Sequence, residues 1–206
     1  MGNTIDYYNT HYDQFVVDTV DANMAETYEW FLDELHKGRH SVNNMDIRIL
    51  DLGCGSGRDA KHFLSLGYLV EAMDGSEEMA RIASKYIGIP VKCQLFNELD
   101  MTDYYDGVWA CASILHATKQ ELPQILQRIS SALRKNGVCY VSFKYGLYEG
   151  YRNGRYYTDL DEKEFARICN YSPELQIIKM WVTGDVRPGR SNEKWLNIIL
   201  RKQYEQ

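Results

Sequence analysis

The stretch that decides the fold is Ile47 to Ala60, IRILDLGCGSGRDA. Ile47, Ile49 and Leu50 form a short apolar run of the kind that makes a buried parallel strand. Asp51 closes the run, and Gly53, Gly55 and Gly57 follow with one residue between each pair. Glycines so spaced remove every Cβ from a tight strand-to-helix turn, so the backbone can approach a ligand closely. Beyond Gly57 the apolar spacing turns helical through Ala60, Phe63 and Leu64, and Gly67 marks a stop. A strand, a glycine loop and a helix N-terminus make a cradle for a nucleotide-like cofactor.

Outward from this stretch, strands and helices alternate. The pattern predicts strands at 47–51, 68–74, 91–95, 106–112 and 137–144, and helices at 57–66, 76–86, 119–134 and 161–170. Two closing strands are expected at 174–183 and 193–202, joined by a hairpin connection from Gly184 to Asn192. Residues 145–158 read as an irregular stretch rich in Tyr, Gly and Arg. This order predicts an α/β fold: a Rossmann-like, seven-stranded, mostly parallel sheet with helices on both faces and an antiparallel strand from the C-terminal hairpin. A single domain is expected over 1–206, with an N-terminal helical part at 1–44 and the Rossmann-like core at 45–206. In the N-terminal part, Tyr7, Tyr8, Tyr12, Phe15, Val16 and Val20 make an aromatic helical stripe, and a second helix covers about 23–37. These two helices pack on the domain or form a lid over the cofactor, since tyrosine combines apolar area with a hydroxyl. Gly38 to Asn44 is a polar linker into the first strand.

Composition narrows the partners. The 206 residues carry a net charge of −6, which argues against the basic face that nucleic acid needs. No apolar run approaches the length of a membrane span, and no export signal is read at the N-terminus. The five cysteines (54, 93, 111, 139 and 169) are odd in number and scattered, which suits a reducing cytoplasm. No His/Cys/Asp/Glu group has metal-ligand spacing, so no metal is expected.

The glycines also bear on which cofactor. A dinucleotide fingerprint, G-x-G-x-x-G, would need a third glycine at position 58, where this chain has Arg58. The run Asp51-Leu52-Gly53-Cys54-Gly55-Ser56-Gly57 instead resembles motif I of the class I S-adenosylmethionine-dependent methyltransferases. Further stretches agree with that resemblance: Asp74 at the end of the second strand, Phe96-Asn97-Glu98-Leu99 after the third, DGVWACASILH at 106–116, and LRKNGVCYVSFK at 133–144. Asn136 stands where the family usually has proline. GRDAKHFLSLGYLVEAMD, at 57–74, is similar to the small tellurite-resistance and thiol-methylating members.

The resemblance implies S-adenosylmethionine as cofactor, S-adenosylhomocysteine as product, and cofactor contacts from Asp51, Gly53, Cys54, Gly55, Gly57, Arg58, Asp74, Gly75, Ser76, Asn97, Glu98, Leu99, Ala112 and Ser113. Asp74 would hold the ribose hydroxyls, a bidentate and charge-assisted arrangement. Arg58 either pairs with a nearby acid or lies beside the methionine carboxylate. His116 is the candidate general base, or else a packing histidine. Methyl transfer is an in-line displacement that asks mainly for alignment and exclusion of water, so no protein base is obligatory.

The acceptor is expected to be a small molecule, with the protein a monomer or homodimer, because little chain is left for binding a macromolecule. Candidate substrate contacts are Tyr8, Tyr12, Lys144, Arg155, Tyr156, Arg187 and Arg190. With Arg152 and Lys194, these cations would converge over the substrate mouth and favour an acidic or phosphorylated acceptor. Rival readings are a cofactor-binding regulatory protein without transferase activity, an RNA or protein methyltransferase, and, less well matched, an NAD-dependent oxidoreductase.

Overall fold

The computed structural model describes residues 2–37, 43–187, 189–190 and 192–203. Most of the expected linker at 38–44, His40 within it, and Pro188 of the C-terminal connection lie outside them. Five strands, β1 (Arg48–Leu52), β2 (Leu69–Asp74), β3 (Val91–Cys93), β4 (Tyr105–Ala110) and β5 (Leu133–Lys144), pair in parallel. Two more follow, β8 (Leu175–Gly184) and β9 (Lys194–Lys202), and the sheet order is β3-β2-β1-β4-β5-β9-β8. Only β9 runs against its neighbours, pairing antiparallel with both β5 and β8. This is the seven-stranded, mostly parallel sheet that the alternation predicts.

Period-two alternation along the strands divides the core into two layers. Val108, Ala110, Cys139, Val141 and Phe143 face α5 (Leu122–Ala132) and α6 (Glu162–Cys169), which supply Ile125, Leu126, Ile129, Phe165 and Ile168. Ile49, Trp109, Val138, Tyr140 and Ile199 face the other way, onto Tyr28, Phe31 and Leu35 of α2 (Ala25–His36) and Phe63 of α3 (Arg58–Ser65). A smaller alanine-rich cluster, Ala60, Ala72 and Ala83, seats α3 and α4 (Glu77–Ile87) close to the sheet. Trp109 is the centre of its layer, stacked on Tyr140 at 4.1 Å and edge-on to Phe31 and Phe63. Helices therefore cover both faces.

Three boundaries differ from the sequence reading. Residues 145–158 are not irregular: β6 (Glu149–Arg152) and β7 (Arg155–Thr158) form a separate antiparallel hairpin. Its two-residue turn is Asn153-Gly154, with φ of 50° and 79°, the left-handed pair that an Asn-Gly turn favours. Strand β5 starts at Leu133 rather than at 137, because Leu133 already pairs with Tyr105 before the register shifts. The first helix, α1 (Gly2–Thr19), is longer than its aromatic stripe and is kinked at His11.

Candidate functional site

All five parallel strands end at one edge of the sheet, where β8 also ends and β9 begins. A cavity of about 930 Å³ lies along this edge. It runs from the glycine loop after β1 to the β6–β7 hairpin and the β8–β9 connection.

The loop is shaped by close approach. Gly53 has φ of +75°, and a Cβ there would lie 2.5 Å from Ser113 Cβ and 3.2 Å from the Phe96 ring. Its N–H and that of Cys54 both donate to the Met73 carbonyl, at 2.8 and 3.0 Å, which ties the loop to β2. Gly57 has a different role and does not line the cavity. A Cβ there would sit 2.8 Å from Ile87 Cγ2, so Gly57 lets α3 approach α4. Nor does Asp51 reach the cavity. Its Oδ2 accepts from Ala60 N–H at 3.0 Å, capping α3 from β1 where Gly57 has no side chain to do so. Burial pushes the Asp51 carboxyl well above the ordinary range.

Asp74 is at the cavity. Its two oxygens accept from Gly55 N–H and Ser76 N–H, each at 2.9 Å, and burial raises its carboxyl while those two bonds oppose the rise. A carboxylate has about four lone-pair sites, so acceptor capacity remains for a diol. Gly75 lines the cavity beside it, whereas Ser76 is fully buried and caps α4 through Met79 N–H. Leu95 and Phe96 wall the same end. Asn97, Glu98 and Leu99 do not: Glu98 accepts from Leu95 N–H and closes a short helical turn, and Leu99 is buried in the core. Ala112 and Ser113 line the floor, and Ser113 Oγ is a buried hydroxyl without a hydrogen-bond partner.

Helix α1 lies over this edge. Phe15 covers Gly55, with its ring 3.1 Å from where a Cβ would be, and Ile5 covers Gly75. Asn9 Oδ1 accepts from Ser76 Oγ at 2.6 Å, and Thr4 Oγ1 accepts from Tyr156 N–H at 2.9 Å. The helix is thus fastened to both α4 and the hairpin. Tyr12 does not line the cavity, but Tyr8 does.

His116 sits beneath Tyr8. Its Nδ1 is 2.6 Å from the Tyr156 carbonyl, which can only accept, so Nδ1 carries the proton. Nε2 therefore accepts from Tyr8 Oη, at 2.9 Å. Burial lowers its pKa to about 4, the Nδ1 bond opposes this, and Arg155 adds to the lowering. Both ring nitrogens are engaged and the ring is held neutral, an arrangement that orients Tyr8. Tyr156 contributes only its backbone to this network, since its hydroxyl donates outward to Glu149; Tyr157 lines the cavity instead.

Arg58 pairs with an acid, the first of the two roles expected for it. It makes a bidentate pair with Asp59, at 2.6 and 2.9 Å. Asp59 also accepts from the Tyr28 hydroxyl and from Trp109 Nε1. Burial alone would raise its carboxyl, but Arg58 and these two donors bring it below the ordinary range.

Lys144, Arg152, Arg155, Arg187, Arg190 and Lys194 all line the cavity, and most of them are held in ion pairs. Lys144 pairs with Glu193, Arg152 with Asp159, and Arg187 with Asp185 at 2.6 Å. Burial pushes Asp185 up, but the side chain and N–H of Arg187, with Trp195 Nε1, hold it at about 2. Arg190 faces Glu193 at 3.9 Å. Arg155 differs: no ion pair joins it to a carboxylate among the described residues.

Several lining residues were not among the candidates from sequence: Asp59, Tyr140, Tyr157, Thr183, Trp195 and Asn197. Tyr157 had a signal in Asn153-Gly154, which predicts a hairpin. Asp59 lies in the first turn of α3, and Tyr140, Thr183, Trp195 and Asn197 come from strands whose facing only the register shows. All five cysteines are free, and among the described residues no group of His, Cys, Asp or Glu could hold a metal ion. No helix among them is long and apolar enough to cross a membrane.

Residues 49–137 match the family model of a methyltransferase domain. The family model, the curated relatives and two solved structures of the same fold are of one kind, S-adenosylmethionine-dependent methyltransferases. Among curated relatives, a ubiquinone biosynthesis O-methyltransferase of Rhodopseudomonas palustris (strain BisB5) is 28% identical over 101 residues. The matched stretch is 47% of the chain and spans 39% of that relative's length. Two solved structures share the fold over nearly the whole chain. The Burkholderia thailandensis 1,6-didemethyltoxoflavin-N1-methyltransferase, with 1,6-didemethyltoxoflavin and S-adenosylhomocysteine bound, has a TM-score of 0.72 at 22% identity, covering 97% of this chain and 85% of its own. Magnesium protoporphyrin IX methyltransferase from Synechocystis PCC 6803, with S-adenosylmethionine bound, has a TM-score of 0.70 at 17% identity, covering 96% and 94%.

Proposed function

We propose that the protein transfers a methyl group from S-adenosylmethionine to a small-molecule acceptor, with an oxygen nucleophile as the first candidate. The observation that carries this reading is the continuity of the cavity. It begins at a loop and carboxylate shaped for a nucleoside and continues past Ser113 to a second wall built from β5, the hairpin and β9. A protein that only sensed the cofactor would have no need of the second wall.

The residues fit the cofactor on structural grounds. A Cβ at Gly53 has no room, Asp74 keeps acceptor capacity for two ribose hydroxyls, Leu95 and Phe96 offer apolar surface to a base, and Ser113 Oγ lacks a partner. When bound, S-adenosylmethionine supplies an electrophilic methyl group on a sulfonium. The chain supplies alignment and dryness: Ile5, Tyr8 and Phe15 of α1 close over the loop as a lid and exclude water. His116, already hydrogen-bonded at both nitrogens, positions the Tyr8 hydroxyl at the acceptor side rather than taking a proton directly. The oxygen nucleophile follows the curated O-methyltransferase relatives, and the small acceptor follows the size of the cavity, about 930 Å³ for cofactor and acceptor together.

The test is isothermal titration of the full chain with S-adenosylhomocysteine and with NAD, followed by a screen of phenolic and carboxylic acceptors for release of S-adenosylhomocysteine. Micromolar binding of S-adenosylhomocysteine, no binding of NAD, and acceptor-dependent turnover are expected. Tight binding without turnover on any acceptor class would favour a regulatory protein, and preference for NAD would overturn the reading.

A further inference from the structure

Arg155 is the unusual group in the cavity wall. The other cations that line it answer to carboxylates: Arg58 to Asp59, Lys144 to Glu193, Arg152 to Asp159, Arg187 to Asp185. Arg190 shares Glu193, and Lys194 is exposed at the mouth. Arg155, on the hairpin strand β7, has three tyrosines around it in place of an acid. Its guanidinium carbon lies 4.7 Å from the Tyr7 ring centroid, 5.4 Å from Tyr157 and 5.8 Å from Tyr8. Its polar contact is a long one, 3.5 Å from Nη1 to Tyr8 Oη, and its Nε is buried with no acceptor.

A guanidinium cannot shed its charge as a lysine can, so an enclosed one needs an anion or a strong set of acceptors. Aromatic rings attract a cation through their faces but accept none of its N–H bonds in the guanidinium plane. Tyr8 does not supply what is missing, because its oxygen accepts only at the limit of hydrogen-bond length and, still carrying the proton it donates to His116 Nε2, has no negative charge to offer. What remains is a planar edge of N–H donors, bearing one uncompensated positive charge, at the acceptor end of the cavity.

We propose that Arg155 is the anchor for a monoanionic carboxylate of the methyl acceptor, gripped at the guanidinium edge inside the Tyr7–Tyr8–Tyr157 cage. This rests on the methyltransferase reading and narrows its acceptor to a small carboxylic acid. Carboxylate is favoured over phosphate because the tyrosine cage holds one cation, Arg155, where a phosphate brings up to two charges, and because its two coplanar oxygens match the fork of an arginine. Two of the cage rings, Tyr7 and Tyr8, arrive on α1, so the anion site is complete only when that helix is docked on the hairpin.

The experiment uses the full chain with S-adenosylhomocysteine present and benzoate as the probe, with benzamide as its neutral counterpart of the same shape. Titration calorimetry is expected to show benzoate binding and benzamide about 30-fold weaker or worse, the scale of removing one partner of a buried charge pair. Arg155→Met should abolish the difference between the two probes while leaving S-adenosylhomocysteine affinity within about twofold, and Arg155→Lys should retain part of it, since the charge survives and the fork does not. Without ligand, Arg155→Met is expected to melt no lower than the parent, since the charge it removes has no anion to hold. Equal binding of the two probes by the parent, or a large drop in melting temperature for Arg155→Met, would overturn the proposal and leave Arg155 a structural clasp for the tyrosines. A tenfold loss of S-adenosylhomocysteine affinity in Arg155→Met would overturn it too, by giving the guanidinium to the cofactor. If the parent failed to bind S-adenosylhomocysteine yet still chose benzoate through Arg155, the methyltransferase reading would fall and the carboxylate site would stand.

Discussion

Substituting alanine at two glycines with nearly the same backbone conformation separates strain from close approach. Gly53 has φ of +75° and Gly88 has φ of +80°, but a Cβ at Gly88 meets nothing within 4 Å whereas one at Gly53 would lie 2.5 Å from Ser113 Cβ. Gly88→Ala should therefore cost only the left-handed conformation, about 1–2 kcal/mol. Gly53→Ala carries that cost and an overlap with a buried neighbour of roughly 1–3 kcal/mol more. For a chain of this length about 2–4 °C of melting temperature goes with each kcal/mol, so Gly88→Ala should melt roughly 3–6 °C low and Gly53→Ala about twice as far. The functional readings should diverge more sharply. Gly88 ends α4 away from the cavity, so its variant should bind S-adenosylhomocysteine as the parent does. Gly53→Ala must push Ser113 or the loop out of place, which should weaken binding about tenfold or more, corresponding to roughly 1.4 kcal/mol. Differential scanning calorimetry and titration calorimetry on the three proteins make the comparison. Equal melting losses together with equal affinities would refute the claim that close packing of this loop, rather than its backbone turn alone, shapes the site.

Asp59→Asn should destabilise by about 3–5 kcal/mol, because it leaves the Arg58 guanidinium buried without its carboxylate; adding Arg58→Met should recover more than half of the loss in urea unfolding. The folded pKa of His116, about 4, lies below its unfolded value near 6.5, so its contribution is full above pH 6.5 and is lost as pH falls from there towards 4. Over that window the parent should lose about 2–3 kcal/mol more than His116→Gln in urea unfolding, and parallel curves would show that the ring is not held neutral by the fold. A Cβ at Gly154 would lie 2.9 Å from Tyr7 Cδ2, in a left-handed turn, so Gly154→Ala should loosen α1 from the hairpin. Hydrogen exchange in residues 4–12 should then quicken about tenfold, reflecting local opening made easier by roughly 1.4 kcal/mol.

The fold was legible because its signals are local and repeated. A parallel strand buried on both faces reads as an apolar run, and the glycine spacing after Asp51 marks the turn that must follow. The cofactor end of the site was legible for the same reason at Gly53, Gly55 and Asp74. It was less so where one motif residue serves another master: Gly57 makes room for Ile87, Asp51 caps α3 from behind, and Glu98 closes a turn. Spacing alone does not distinguish a residue that touches a ligand from one that holds such a residue in place. The acceptor end was read less well. The hairpin had an adequate signal in Asn153-Gly154, masked by the tyrosines and arginines that make the stretch look irregular. Charge was the harder matter. Arg187 with Asp185 two residues away is a pair that sequence can suggest, but Lys144 with Glu193 and the isolation of Arg155 depend on which strands meet at the edge.

The reversed strand β9 has a consequence for how this chamber can change. In an all-parallel sheet every strand brings only its C-terminal end to the ligand edge, and each return passes to the far side. Because β9 runs backward, the chain reaches that edge at the end of β8, turns there, and re-enters the sheet from the same side. Thr183 and Asp185 on the way out and Trp195 and Asn197 on the way in therefore border one chamber, joined by the short β8–β9 connection. Insertions or exchanges in that link would reshape the acceptor wall while every parallel strand, and the cofactor end they carry, kept its register. Acceptor choice can drift in a segment of about ten residues while the cradle stays fixed, as is common where a rigid scaffold carries its specificity on connecting segments.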